Sequence, residues 1–236
     1  MMEALDKLGA EYIQCKFGTP YEEYIRRAGQ EPMVFYGSMQ FAKLIQDTPG
    51  HAIKVYYTIP NYECIHYYPH FDKLLLNSDY TICLFSSLSS ISCNKSLFVR
   101  PSSGHKTFTG MVITREEWDG KIRELSRKIN PDEIMIVAEP KEISQEWRTV
   151  VINGRVVAGG QYKETGKIVR FPLVPESVMK YAQDTVIAVG YQPDPAWTLD
   201  ICNINDELYV LEIGSFSCAG LYACDCEAIV NAIETI

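Results

Sequence analysis

The chain has 236 residues, 47% of them hydrophobic and 22% charged, enough for a sizeable core in one large or two small domains. A net charge of −8 and a pI near 5.1 argue against binding nucleic acid or anionic membranes through bulk charge. No run of about 18 apolar residues marks a transmembrane helix. The start, MMEALDKLGAEY, is acidic and amphipathic without a signal-peptide core, so a cytoplasmic location is expected.

Residues 1 to 80 read as a small α/β unit. Pro32 to Tyr36 is a short strand, and Gly37-Ser38 leads into a helix over Met39 to Gln46. Phe41, Leu44 and Ile45 share one stripe of that helix, and Ser38 is its N-cap. The strand–turn–helix is a weak anion-site signal, because neither GxGxxG nor GxxxxGK[ST] is present. A second strand reads at Ala52 to Thr58. Pro60 to Asn77 is aromatic and reads as irregular, with Tyr62, Tyr67, Tyr68 and Phe71 as core packing. His66 and His70 sit four apart, but Pro69 between them argues against a regular helix, and both read as ordinary residues. Ser86 to Ser92 reads as a loop and as the boundary between two halves.

Strands follow at Ser96 to Arg100 and at Thr107 to Ile113. Between them Pro101-Ser-Ser-Gly-His-Lys106 is a Gly/Ser loop that can lie over a polyphosphate, with Arg100 and Lys106 supplying charge. Thr114 and Glu117 form a capping box for a charged helix running to about Lys128, read as solvated. Glu133 to Ala138 is a strand, and Glu139-Pro-Lys-Glu142 breaks it. Glu146 to Ile152 and Arg155 to Tyr162 form a hairpin about Asn153-Gly154. Val174 to Ala188 is a helix, Pro193 to Pro195 a turn, and Asp225 to Glu234 a terminal helix.

The most informative stretch is Trp197 to Tyr222, two strand-like runs about the polar turn Asn203 to Glu207. Pairing Leu199 with Leu211 and Asp200 with Val210 gathers Trp197, Leu199, Ile201, Tyr209, Leu211 and Ile213 on one apolar face. The opposite face then carries Asp200 and Glu212 as diagonal neighbours, about 7–8 Å apart. Two carboxylates at that distance can share one or two Mg²⁺ ions, or they are simply solvated acids. Eight cysteines show no CxxC spacing and read as free thiols; Cys202, Cys218, Cys224 and Cys226 leave open a structural zinc site.

Three ordered stretches, FVRPSSGHKTFTG (98–110), EPKEISQEWRTVVINGRVVAGGQYK (139–163) and WTLDI…LYVLEIGSFSCAGLY (197–222), resemble the ATP-grasp ligase superfamily. More narrowly they look like a small, phage-associated clade of it. The resemblance implies an α/β (α+β) ATP-grasp fold, with two subdomains clasping a nucleotide. Its domains would be a small α/β N-terminal domain over 1–85 and an ATP-grasp domain over 86–236, with a mobile lid over about 100–138. It also implies the cofactors ATP and Mg²⁺. Arg100 stands where many members have a strand lysine near the phosphates, and Lys106 matches the basic residue of the phosphate loop. Glu139 and Glu142 match the hinge beside adenine and ribose. Glu146 and Arg148 match the E-x-R stretch facing nucleotide and acceptor, and Lys163 adds a positive charge. Asp200 and Glu212 match the Mg²⁺ acids. The usual metal motif is Glu-x-Asn, whereas here the third position is Gly214.

The implied reaction is a carboxylate–amine ligation through an acyl phosphate, with the substrate open. Two alternatives stand beside it: a non-catalytic nucleotide-binding module of the same fold, and the thiol–zinc protein.

Overall fold

The computed structural model describes all residues except 17, 19, 92, 93, 105 and 106. Helices α1 (Met2–Leu8) and α2 (Tyr21–Ala28) precede a short parallel pair, β1 (Met33–Val34) and β2 (Ile53–Lys54), connected through α3 (Met39–Asp47). Next come α4 (Cys64–Phe71), β3 (Thr81–Leu84), α5 (Phe85–Leu88), β4 (Leu97–Pro101), β5 (Met111–Ile113), α6 (Trp118–Leu125) and β6 (Ile134–Ala138). The last part holds β7 (Gln145–Ile152), β8 (Arg155–Glu164), β9 (Lys167–Phe171), α7 (Glu176–Val189), β10 (Ala196–Ile204), β11 (Glu207–Ser215) and α8 (Cys226–Ile233).

Two antiparallel sheets dominate: a four-stranded one in the order β3-β6-β4-β5 and a five-stranded one in the order β11-β10-β7-β8-β9. Local chemistry explains the larger sheet. Its three hairpin turns each have two residues at positive φ: Asn153 and Gly154, Thr165 and Gly166, Asn205 and Asp206. That backbone matches the right-handed twist of the strands it joins. Only the first of these turns has the Asn-Gly signature, which is why β9, entered through Thr165-Gly166, escapes sequence reading.

The sheets bury different cores. Trp147, Val151, Trp197, Leu199 and Ile201 of the five-stranded sheet pack against α7 and against Tyr67, Tyr68 and Phe71 of α4. On its other face Val150, Ile152, Ala158 and Ala196 pack with Phe216 and with Ile229 of α8. The four-stranded sheet packs Val99, Ile113, Met135 and Val137 against α5 and α6.

Several local expectations are corrected. Residues 64–71 are a helix despite Pro69. The proline removes one backbone bond, and burial of three aromatic side chains holds the short helix in place. The serine-rich stretch begins inside α5, because Leu88 is fully buried under α6. Helix α6 is amphipathic rather than wholly solvated: Trp118, Ile122 and Leu125 point inward at spacings of four and three. Of the two N-caps read from sequence, Ser38 forms, accepting from Phe41 N; Thr114 accepts from Glu117 N, but α6 begins only at Trp118, with Glu117 in its N-cap position. Asp225, expected only as the start of the last helix, caps it by accepting from Glu227 N and Ala228 N.

Candidate functional site

The site grows out of the β10–β11 hairpin, whose register differs from the uniform alternation expected. Asp200 pairs directly with Glu212 and Leu199 with Ile213; the pairing then slips, so that Ile201 faces Val210. Leu211 is thus the extra residue of a β-bulge. The bulge lets both needs be met. Val210 turns into the core, where it is fully buried, while Glu212 stays on the face of Asp200. A slip inside the strand inverts the faces of every residue beyond it, so Tyr209 leaves the expected core set.

Across the sheet, Glu212, Asp200, Arg148 and Gly160 are consecutive cross-strand partners. Arg148 donates from Nε to Asp200 Oδ1 at 2.8 Å and from Nη2 to Asp200 Oδ2 at 2.7 Å. Its remaining Nη1 donates to the carbonyl of Gly220 at 2.8 Å. This two-pronged pair is buried, with side-chain exposures of 9% and 2%. Burial works against the Arg148 charge, but Asp200 beside it holds the guanidinium's pKa above its ordinary value.

The guanidinium also meets two stacked rings. Its Cζ lies 5.7 Å from the centroid of Tyr162 and 5.1 Å from that of Tyr222. The rings are 4.8 Å apart and 14° from parallel. Tyr162 donates to Asp200 Oδ2 at 3.3 Å. It is itself the unpaired residue of a bulge, because Trp147 pairs with Gln161 and Glu146 with Lys163. Tyr222 holds a positive φ of 49°. Gly160 is required where the chain crosses the sheet: a Cβ there would come within 2.9 Å of the backbone of Ala223 and Cys224.

Arg100 arrives from the other sheet. Its neighbours in β4 alternate, with Val99 in the core under α6, so Arg100 faces away from that core. Its Nη1 lies 3.2 Å from Glu212 Oε2. One step along the larger sheet, Lys163 Nζ pairs with the buried Glu146 Oε1 at 2.9 Å, and Cys202 is the cross-strand partner of Glu146.

Arg100, Glu146, Arg148, Lys163, Asp200 and Glu212 therefore come together between the two sheets. Glu139 and Glu142 stand apart from them, in the connection between β6 of one sheet and β7 of the other. Glu139 pairs there with Lys95, and Lys141 with Asp79; Glu142 is exposed. Lys106 lies outside the described residues. Sequence reading missed Tyr162, Thr198 and Tyr222. Strand alternation carries a signal only for Thr198, two residues before Asp200; a bulge and a crossing loop hide the other two.

The two acids fit a divalent cation as a pair of hard oxygen donors facing one another in the sheet. Gly214 adds no side-chain oxygen, and a Cβ there would lie 2.8 Å from Thr198 Oγ1. Among the described residues no three His, Cys, Asp or Glu side chains form a metal-holding group. The cysteines are thus not gathered into a zinc site. Burial, then Glu146 and Asp200, pushes the Cys202 thiol up to about 12. Burial, partly offset by Arg148, also puts Cys224 at about 12. Both stay protonated at neutral pH and make poor nucleophiles or metal ligands.

Known proteins share this architecture. The D-cycloserine synthetase DcsG superposes with a TM-score of 0.62 at 10% identity, over 99% of this chain and 92% of that one. A D-alanine–D-alanine ligase from Bacillus anthracis, complexed with ATP, gives 0.58 at 14% identity, over 99% and 88%. A RimK domain ATP-grasp protein from Sphaerobacter thermophilus gives 0.58 at 10% identity, over 98% and 93%. At these identities the likeness is one of fold. No curated protein matches the chain in sequence. The family model for the ATP-grasp domain, R(2)K clade family 3, matches residues 45–233. The chain, with its two antiparallel sheets and the acid pair between them, belongs to family 3 of the R(2)K clade of ATP-grasp domains.

Proposed function

We propose that the protein is an ATP- and Mg²⁺-dependent ligase that joins a carboxylate to an amine or related nucleophile through an acyl phosphate. The observation that carries this reading is the meeting of charges from two sheets. Arg100 on β4 reaches Glu212 on β11, and Glu212 stands beside the Asp200–Arg148 pair. A polyphosphate needs such an arrangement of cations and acids closing on it from both sides.

Each residue has a role in this reading. Asp200 and Glu212 hold the metal. Mg²⁺ held there would supply charge neutralisation at the phosphates. Arg100 and Lys106 bind the phosphates from the lid side, and Arg148 stabilises the transferred group. Glu139 and Glu142, at the connection between the sheets, contact adenine and ribose. Glu146 holds Lys163 at the edge of the site. The chain supplies position and charge neutralisation; no protein nucleophile is needed. The division of the chain is part of the proposal: an N-terminal domain over 1–85 and an ATP-grasp domain over 86–236 with a lid at about 100–138. In this scheme β3 joins residues 81–84 to the lid's sheet. Among the described residues no helix is long and apolar enough to cross a membrane, and we infer a cytoplasmic enzyme.

The test is thermal stability with Mg²⁺ alone, MgATP and MgGTP, on the wild type and on Asp200→Asn/Glu212→Gln. A ligand that binds only the folded state at 100 times its dissociation constant stabilises by about 2.7 kcal/mol. The expected result is a shift specific to MgATP that the double variant loses, followed by a screen of carboxylates and amines for ADP release. No shift with any nucleotide would overturn the reading. A shift without ADP release on any substrate would favour a non-catalytic nucleotide-binding module, the reading that Gly214 supports.

A further inference from the structure

We propose that Thr198 supplies the third protein oxygen of the metal site, in place of a side chain at position 214. The inference rests on the ATP-grasp site proposed above and concerns Thr198, to which the sequence motifs give no role. Thr198 and Gly214 are cross-strand partners, two residues along from the Asp200–Glu212 pair on the same face. Thr198 is 1% exposed, and its hydroxyl donates to the carbonyl of Gly214 at 3.2 Å.

The two positions compete for one volume. The 2.8 Å between Thr198 Oγ1 and a Cβ on residue 214 is closer than real Cβ contacts allow. A side chain at 214 would therefore require Thr198 to turn its hydroxyl away from the place it holds, and with glycine there this chain keeps the hydroxyl. The proton of that hydroxyl is committed to the Gly214 carbonyl, which leaves its oxygen lone pairs to accept. Divalent cations of the Mg²⁺ type take such neutral oxygens alongside carboxylates. The exchange moves an oxygen from β11 to β10 without changing the face on which it stands. It also explains why a glycine, otherwise unfavourable inside a strand, sits at 214 with an ordinary negative φ.

The experiment measures Mn²⁺ binding by electron paramagnetic resonance, with a non-hydrolysable ATP analogue present. The proteins are wild type, Thr198→Val, Thr198→Ser, Thr198→Ala/Gly214→Asn and Asp200→Asn/Glu212→Gln; unliganded melting serves as the fold control. Valine keeps the shape of threonine and removes the oxygen. The proposal expects Thr198→Val to weaken Mn²⁺ by about tenfold, the scale seen when a metal site loses one supporting group. Thr198→Ser should bind as wild type. Thr198→Ala/Gly214→Asn should recover most of the loss, because alanine vacates the volume that asparagine then fills.

Unchanged Mn²⁺ affinity in Thr198→Val, with binding abolished in Asp200→Asn/Glu212→Gln, would overturn the role of Thr198 and leave the acid site standing. Wild-type levels of Mn²⁺ in the acid double variant would instead overturn the metal site itself. If Thr198→Val does not fold, the serine and Ala/Asn variants decide: weak binding in the serine variant, or no recovery by asparagine, sinks the proposal.

Discussion

Two arginine–carboxylate pairs stand side by side in this protein and differ in nearly every physical respect. Arg148 and Asp200 sit on adjacent strands of one sheet, share two short hydrogen bonds and are almost fully buried. Arg100 and Glu212 come from different sheets, approach to 3.2 Å and keep side-chain exposures of 13% and 20%. The first pair is set by strand register and fixed by β-sheet hydrogen bonding. The second exists only while the sheets lie against each other. One is a piece of framework that carries charge; the other reports the closeness of two bodies that would have to grip a nucleotide.

Removing one partner of the framework pair should have the largest effect. Asp200→Ala leaves the Arg148 guanidinium buried and uncompensated, which costs about 3–5 kcal/mol. Urea unfolding should show the midpoint falling accordingly. A loss under about 1 kcal/mol, the range of exposed pairs, would mean that Arg148 reaches solvent readily and that the two pairs are more alike than their burial suggests.

Next comes the crossing of the chain over the framework. Gly160→Val places carbon against the backbone of Ala223 and Cys224, an overpacking worth about 1–3 kcal/mol. Because the crossing segment carries Gly220 and Tyr222, the variant should also expose the 220–226 stretch to limited proteolysis. Equal protection in both proteins would show that the sheet, and not the loop, gives way.

The bridging pair should matter less to stability and more to ligands. Glu212→Gln should cost on the order of 1 kcal/mol, since glutamine keeps an oxygen that can accept from Arg100 and only the charge of the pair is lost. It should nevertheless remove most of the MgATP-dependent melting shift. A variant that unfolds as easily as Asp200→Ala would erase the distinction between the pairs.

At neutral pH the smallest effect concerns the thiols behind the site. Cys202 and Cys224 have folded values of about 12 against an ordinary value of 9.0. The unfolded chain therefore releases its thiol protons first as pH rises. Stability falls once pH passes about 9 and keeps falling toward 12, while below 9 these groups contribute no pH dependence. Thiol titration at about pH 8, just under the ordinary thiol range, should modify the exposed Cys15 before either buried cysteine; simultaneous modification would mean the sheet face opens on the timescale of the reagent.

The same contrast separates what sequence and tertiary structure each decided. Local sequence sets the helix cap at Ser38, the Asn153-Gly154 hairpin, the strands carrying Arg100 and Arg148, and the presence of Asp200 and Glu212 on one hairpin. These rest on local dihedral preferences, capping hydrogen bonds and period-two alternation, all of which act within a few residues. It did not determine that Asp200 faces Glu212, that Tyr162 reaches Asp200, or that Arg100 finds Glu212. The first two depend on bulges at Leu211 and Tyr162, where a strand gives up one step of pairing so that its neighbours can be buried. The helix over 64–71, built through a proline, likewise forms because its aromatic face is buried against a distant sheet. Alternation and propensity report what a segment prefers alone. Only the packing of one sheet against another decides where a bulge is worth its lost hydrogen bond, and so which charges finally meet.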